Sequence, residues 1–195
     1  MANALKPLVA LAKSDTARAL VRARGEPQAA NRCQFLAWTA RFAPDAAVVA
    51  IADEALAAAA IVDDDYWSVA IAAWPLRALV ERGHERDCVR ALAPVLARAT
   101  RIAHPVSRMD ALALVLHAVL DVDAARAATV PELVRACQAA TSWKSPRCLA
   151  DTAVLLAPID EPAAAHVLAA LADGRHKRQA LRAFAAGAAP PRTFF

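Results

Sequence analysis

Three consecutive aspartates, Asp63, Asp64 and Asp65, suggest metal chemistry, because carboxylates are common ligands of divalent cations. Consecutive residues of a helix point in different directions, however, so three in a row rarely converge on one ion. Carboxylates are also favoured at helix N-termini, where they accept backbone N–H bonds and face the positive end of the helix dipole. We therefore predict that this trio opens and caps a helix, and we interpret Asp160 with Glu161 in the same way.

The cysteines and histidines follow no metal-binding or nucleophile pattern. The sequence contains no CxxC, no HExxH and no pair of histidines four residues apart. No glycine-rich loop could hold a phosphate. The cysteines fall inside predicted helices without close pairing, and we expect them to be reduced and buried: Cys33, Cys88, Cys137 and Cys148. These patterns predict no metal, no cofactor and no disulfide, and they favour a non-catalytic protein over an enzyme.

Tryptophans and arginines are the better candidates for a binding surface. Trp67, Trp74 and Arg77 fall on one predicted helix, and Trp143 lies about one turn from Arg147 on another. Core packing is the competing interpretation for Trp67 and Trp74, because tryptophan is highly buried on average. Both interpretations need a scaffold of helices that brings these side chains to one face.

Four arginines recur near the starts of predicted helices and reveal that scaffold: Arg32, Arg108, Arg147 and Arg178. Arg108 and Arg147 are 39 residues apart, and Arg147 and Arg178 are 31 apart. The 76 residues between Arg32 and Arg108 leave room for one more copy, in which Ser68 takes the place of the arginine. A loose period of this size is typical of helical solenoids. The arginines then either form a row on a binding face or bind neighbouring turns.

The clearest copy of the repeat is residues 131–160, read as a helix, a short turn and a second helix. Here Pro131, preceded by Thr129 as a cap, is predicted to begin the first helix, and Pro146 the second. Apolar residues follow helical spacing in both, from Leu133 to Cys137 and from Leu149 to Leu156. Such short helices bury little between them, so the unit needs neighbours on both sides.

This layout resembles the HEAT and armadillo-like superfamily of helical repeats, most visibly over residues 87–186, with Pro-x-Leu at the start of first helices and an early arginine in second helices. The resemblance implies an all-α fold, an α-solenoid of four to five antiparallel helix pairs. The loop aspartate typical of HEAT repeats has an analogue at Asp173, before Arg178.

The composition agrees with a helical domain. The 195 residues include only four glycines, and 5% are aromatic, which disfavours sheets. We expect one domain over residues 1–186, followed by an extended tail, 187–195, whose Phe194 and Phe195 fold back near Leu181 and Phe184 or dock on a neighbouring molecule. Leu5–Arg24 is predicted as one helix, or as two if the chain breaks at 14–15.

Apolar runs are too short to cross a bilayer and no signal peptide is recognised, so a cytoplasmic protein without a membrane partner is expected.

We therefore expect a scaffold or adaptor that binds another protein through its concave face. A nucleic-acid-binding repeat protein is the alternative, because tryptophan beside arginine and aspartate on such a scaffold resembles the alkylpurine DNA glycosylases built from HEAT-like repeats. That resemblance implies a site of Asp64 or Asp110 with Trp67, Trp143 and Arg147. The net charge of +4 permits an acidic partner without requiring one. A small bacterial immunity or regulatory protein is a third possibility.

Overall fold

The computed structural model describes residues 2–187, with side chains from residue 5 onward, and within that range the helices are joined by turns and no strand is present. The prediction of an all-α fold is therefore confirmed. The helices are α1 (Ala2–Ser14), α2 (Thr16–Arg24), α3 (Ala29–Phe42), α4 (Asp45–Ala60), α5 (Asp65–Glu81), α6 (Glu85–Ala99), α7 (Pro105–Val119), α8 (Asp123–Ala139), α9 (Lys144–Leu156), α10 (Glu161–Ala169) and α11 (Arg175–Ala185). The predicted contacts of Phe194 and Phe195 lie outside the described residues.

Contacts between the helices follow chain order. From α1 to α10 each helix contacts the next one in sequence. The odd-numbered helices also contact one another in succession from α1 to α11, and the even-numbered helices do so from α4 to α10. Side chains at equivalent positions of successive odd-numbered helices can therefore meet across the surface.

Aspartates cap several helices, as the sequence predicts for Asp64 and Asp160. Asp64 accepts the backbone N–H of Trp67 at 2.7 Å and caps α5. Asp160 caps α10 by accepting the N–H of Ala163 at 3.0 Å. Asp15 caps α2, so the segment after Leu5 is broken into two helices. Among the described residues, no group of three or more His, Cys, Asp or Glu side chains could hold a metal ion.

The prediction that Pro131 begins a helix is wrong. Helix α8 begins eight residues earlier, at Asp123, and continues through Pro131. Thr129 is buried inside this helix, where its hydroxyl donates to the carbonyl of Ala125 at 2.8 Å instead of capping a new helix. An internal proline removes one helical N–H, but the carbonyl left without a donor belongs to the exposed Ala127 and can be solvated. Packing on both sides of the proline therefore outweighs its local cost.

The core is one cluster in which alanine is the commonest residue, so the helices can approach closely. Its largest fully buried side chains include Leu36, Leu76, Leu112, Leu133 and Leu156. The predicted apolar stripes of residues 133–137 and 149–156 point into this cluster. Two valines lie outside the core: Val21 is 71% exposed, and Val89 also lies at the surface. No helix in the described range is long and apolar enough to cross a membrane.

Candidate functional site

A group of aromatic and charged side chains runs from α3 across α5 to the residues just after α7. We call this group the central belt, and its members are Trp38, Arg41, Phe42, Trp74, Arg77, Glu81 and Asp121. Apart from the adjacent pair Arg41 and Phe42, members on the same helix are three, four or seven residues apart, a spacing that places side chains on one face of a helix.

The aromatic part of the belt joins α3 to α5. The ring of Trp38 lies 6.2 Å from that of Trp74 and 6.4 Å from that of Phe42, within the range of favourable aromatic pairs. The guanidinium of Arg41 lies over both α3 rings, 5.1 Å from the Trp38 centroid and 5.9 Å from the Phe42 centroid. Lys13 of α1 extends the cluster, with its ammonium 5.6 Å from the Phe42 ring. These cation–π contacts hold the rings in place at the surface.

The charged part of the belt joins α3 to α5 and α5 to α7. Glu81 accepts Arg41 at 2.6 Å on one oxygen and Arg77 at 2.9 Å on the other. Arg77 then reaches Asp121, just beyond the end of α7, at 2.8 Å. Two cations therefore face two anions along the belt. A surface that binds the phosphate backbone needs an excess of positive charge, which these four side chains do not supply.

A repeated Trp-x-x-Arg pattern in the sequence corresponds to the belt, and it differs from the arginine series 32, 108, 147 and 178. The tetrapeptides Trp38–Arg41 and Trp74–Arg77 both read Trp-x-x-Arg and lie 36 residues apart. The two tryptophans are each the tenth residue of their helix, α3 and α5, and the two arginines are each the thirteenth. Trp74 and Arg77 were candidate binding residues, whereas Trp38, Arg41, Glu81 and Asp121 were not. The pattern Trp-x-x-Arg at the same position of α3 and α5, two successive odd-numbered helices, is the signal that identifies Trp38 and Arg41.

The predicted series of arginines does share one position in its helices. Arg32, Arg108, Arg147 and Arg178 are each the fourth residue of α3, α7, α9 and α11, and Ser68 is the fourth residue of α5. The structure does not bring them into the belt, because they lie near the starts of the helices and the belt lies near the ends of α3 and α5.

Two members of that series bind the turn that precedes their own helix. Arg32 donates to the carbonyls of Glu26 at 2.8 Å and Pro27 at 3.3 Å. Arg108 donates two hydrogen bonds to the carbonyl of Ile102, at 3.0 and 2.7 Å. Carbonyls after a helix end lack intrahelical donors, so these bonds satisfy groups that would otherwise need water. Their geometry fits a role in holding the turns.

The other two members, Arg147 and Arg178, are exposed. Arg147 lies 3.6 Å from Asp151 one turn further along α9, a spacing that contributes little in solvent. Trp143, which directly precedes α9, is 70% exposed, and Trp67 at the start of α5 is 52% exposed. The interpretation that Trp67 packs in the core is therefore wrong. Its ring lies outside the core cluster, although Tyr66 beside it packs against that cluster.

The site expected from the glycosylase resemblance is divided between different environments. Asp64 is engaged as the cap of α5, and its carboxylate holds the Trp67 N–H. Asp110 is half-buried in α7, whereas Trp143 and Arg147 lie at the exposed start of α9.

The chain matches no protein-family model, no curated protein and no solved structure.

A separate cavity of about 210 Å³ lies between α4, α5 and α6. Its floor is apolar, with Leu56, Val69 and Val95 among the lining residues. The charged groups at its rim bind other protein groups: Arg90 pairs with Asp53 at 3.1 Å, and Arg98 donates to Asp65 and to two carbonyls of the α4–α5 turn. The arginines at the rim of this cavity are therefore already bound to protein groups and are not directed at a ligand.

Proposed function

We propose that this chain is a non-catalytic α-solenoid of antiparallel helix pairs that binds another protein through the central belt. The ordered contacts between successive odd-numbered and successive even-numbered helices support the solenoid, since each repeat of such a fold contacts mainly its neighbours. The shared register of Trp38 and Trp74, and of Arg41 and Arg77, supports the repeat.

The composition of the belt is the observation that carries the proposal. Tryptophan and arginine are the residues most enriched among those that dominate binding energy at protein interfaces. The belt contains two tryptophans, two arginines and the two carboxylates that pair with the arginines, so it presents an aromatic centre beside charges of both signs. A protein surface can complement such a pattern with apolar contacts and exchanged ion pairs. A nucleic acid would leave Glu81 and Asp121 facing phosphates.

Site-specific photo-crosslinking in the native cells tests this proposal. A benzophenone amino acid replaces Trp74 or Asp121 in the belt, and in the matched control it replaces Ala93, which is exposed on α6. Protein adducts from the two belt positions and none from the control position are expected, with melting temperatures used to confirm that each variant folds. Equal amounts of protein adduct from the belt positions and from Ala93, or no adduct from the belt positions, would refute the proposal.

A nucleic-acid-binding role is the second candidate, and the start of α9 is the observation that favours it. There the exposed ring of Trp143 stands beside Lys144 and Arg147, a combination of stacking surface and positive charge that single strands can use. Fluorescence anisotropy with a labelled single-stranded oligonucleotide tests it. Binding that falls with salt and is lost in Trp143→Ala would favour this candidate, whereas no binding at low salt would exclude it.

A further inference from the structure

The excess positive charge of the chain is concentrated in residues 175–195. This segment contains five lysines and arginines and no aspartate or glutamate, whereas residues 1–174 contain 18 cationic and 19 acidic side chains. The net charge of +4 therefore comes entirely from residues 175–195. Four of the five cations lie on α11: Arg175, Lys177, Arg178 and Arg182.

Three of these cations lie on the face of α11 that points away from the protein. Arg175, Arg178 and Arg182 are exposed, and their spacing of three and four residues places them in one row, which we call the arginine row. The row spans about 10 Å, because a helix rises by about 1.5 Å per residue. On the opposite face, Ala180 is buried and Phe184 packs against the core. Packing of α11 on α9 therefore leaves the arginine row in solvent.

No group of the described chain neutralises the arginine row. Lys177, on another side of the helix, pairs with Asp173 at 3.0 Å. Within residues 5–187, no ion pair or side-chain hydrogen bond engages the three arginines of the row. Arg178 is the fourth residue of its helix, as Arg32 and Arg108 are, yet only those two donate to carbonyls of the preceding turn. The guanidinium groups of the row therefore have no internal acceptor.

The position of the row also opposes the stability of α11. The helix dipole favours carboxylates in the first turn of a helix and cations in the last turn. Helices α4, α5, α6, α8 and α10 each have a carboxylate in the first turn, whereas α11 has none and begins with Arg175. Gly174, which precedes it, supplies no side-chain cap. A local choice that costs stability and gains no internal contact is expected where side chains bind a partner.

We propose that the arginine row binds the sugar–phosphate backbone of a single-stranded nucleic acid. A guanidinium presents paired N–H donors that match two oxygens of a phosphate, and phosphates repeat along a strand as the arginines repeat along the helix. Helix α9, on which α11 packs, favours a nucleic acid over an acidic protein segment. Its start adds the exposed ring of Trp143, for stacking of unpaired bases, and the cations Lys144 and Arg147.

The arginine row is separate from the central belt and does not depend on the protein partner proposed there. It extends the second candidate function, because the start of α9 provides stacking and α11 provides phosphate contacts. The row carries the excess of positive charge that the belt lacks.

Fluorescence anisotropy with labelled oligouridylate and oligothymidylate tests the proposal on the full chain. The row variant combines Arg175→Gln, Arg178→Gln and Arg182→Gln. The charge-matched control replaces three exposed arginines of other helices with glutamine: Arg24, Arg90 and Arg135. Each phosphate contact of a single strand contributes about 0.7 to the slope of log K against log salt concentration. The row variant should therefore lose about 2 from the magnitude of this slope and bind both oligonucleotides about tenfold more weakly at about 50 mM salt, whereas the control keeps the wild-type slope.

Circular dichroism verifies that both variants are folded. Equal weakening in the row variant and the control would show a response to net charge alone and would overturn the proposal, as would the absence of wild-type binding at low salt. Displacement of the oligonucleotide by polyglutamate at the same concentration of charge would assign the row to an acidic protein segment instead. If Trp143→Ala loses binding while the row variant binds like wild type, the α9 candidate stands and the arginine row is refuted. Crosslinking from the belt measures the protein partner independently, so the two proposals can fail separately.

Discussion

Replacing Asp160 with alanine should destabilise the fold through two losses at once. One carboxylate oxygen accepts the N–H of Ala163 at 3.0 Å and caps α10, and the other accepts Arg126 of α8 at 2.9 Å. The guanidinium of Arg126 is only 7% exposed, and its other bonds go to the carbonyl of Leu120 at 2.8 Å and to Asp123 at 2.9 Å. Asp160 therefore ties the start of α10 to the buried charge of α8.

The expected magnitude follows from these contacts. Loss of an N-cap side chain costs about 1 kcal/mol, and loss of a hydrogen bond to a charged group costs about 1.5–3 kcal/mol. Because Arg126 keeps its bonds to Leu120 and Asp123, we take the lower part of the summed range, about 2.5–3 kcal/mol. For a domain of this size that corresponds to a fall of roughly 5–10 °C in melting temperature.

Thermal and urea unfolding, followed by circular dichroism, measure the effect in three variants. Asp160→Asn keeps an acceptor for the cap but removes the negative charge, so it should lose about half as much as Asp160→Ala, roughly 1 kcal/mol. The matched control is Asp63→Ala, because Asp63 is an exposed aspartate just before a helix whose cap is Asp64. If Asp160→Ala and Asp63→Ala melt within about 1 °C of each other, the ion pair and cap contribute nothing measurable and the reasoning is wrong.

Three further measurements test other parts of the structure. The hydrogen bond from Arg126 holds the pKa of Asp160 below its usual value. The stabilisation that it contributes is therefore present above pH about 4 and is lost as the pH falls through the folded-state pKa. In urea titrations, the difference in unfolding free energy between wild type and Asp160→Ala should become smaller between pH 7 and pH about 2.5. Pro131→Ala restores a helical N–H in α8 and should raise the free energy of unfolding by about 1–2 kcal/mol in the same assay. An unchanged or lower free energy of unfolding would show that packing around the proline ring outweighs the missing N–H. Trp38→Ala should cost about 2–4 kcal/mol, whereas Trp143→Ala should stay within about 0.5 kcal/mol, and similar losses from both would contradict the different packing of the two rings.

Local chemistry explains which helix boundaries the sequence predicts well. Asp64 and Asp160 each accept the N–H of the residue three positions further along the chain, so the sequence signal and the helix start lie in the same short segment. Pro131 shows the limit of this reasoning. Its local preference for a helix start is real, but helix α8 is determined by packing of Ala125 and Leu133 on both sides of it.

The candidate site was less accessible to sequence reasoning, because contacts between helices form it. The position of Trp74 and Arg77 on one helix face could be read from their spacing. Their pairing with Trp38 and Asp121, however, depends on which helices are neighbours. The available signal was tryptophan and arginine at the same positions of α3, the preceding odd-numbered helix. The exposure of Trp67 could not be inferred from its residue type.

The arginines divide into two groups with different capacities to bind a partner. Arg32 and Arg108 donate to backbone carbonyls of turns, and moving either side chain would leave those carbonyls without a donor. Arg41 and Arg77 bind carboxylates, and Asp121, which pairs with Arg77, is itself 38% exposed. A carboxylate or an arginine of a partner can replace one member of such a pair while every charge keeps a counter-charge. Periodicity alone therefore does not separate the two groups, because Arg41 and Arg77 recur at one helix position just as Arg32 and Arg108 do. The chemistry of their partners identifies the arginines that can exchange contacts with another protein.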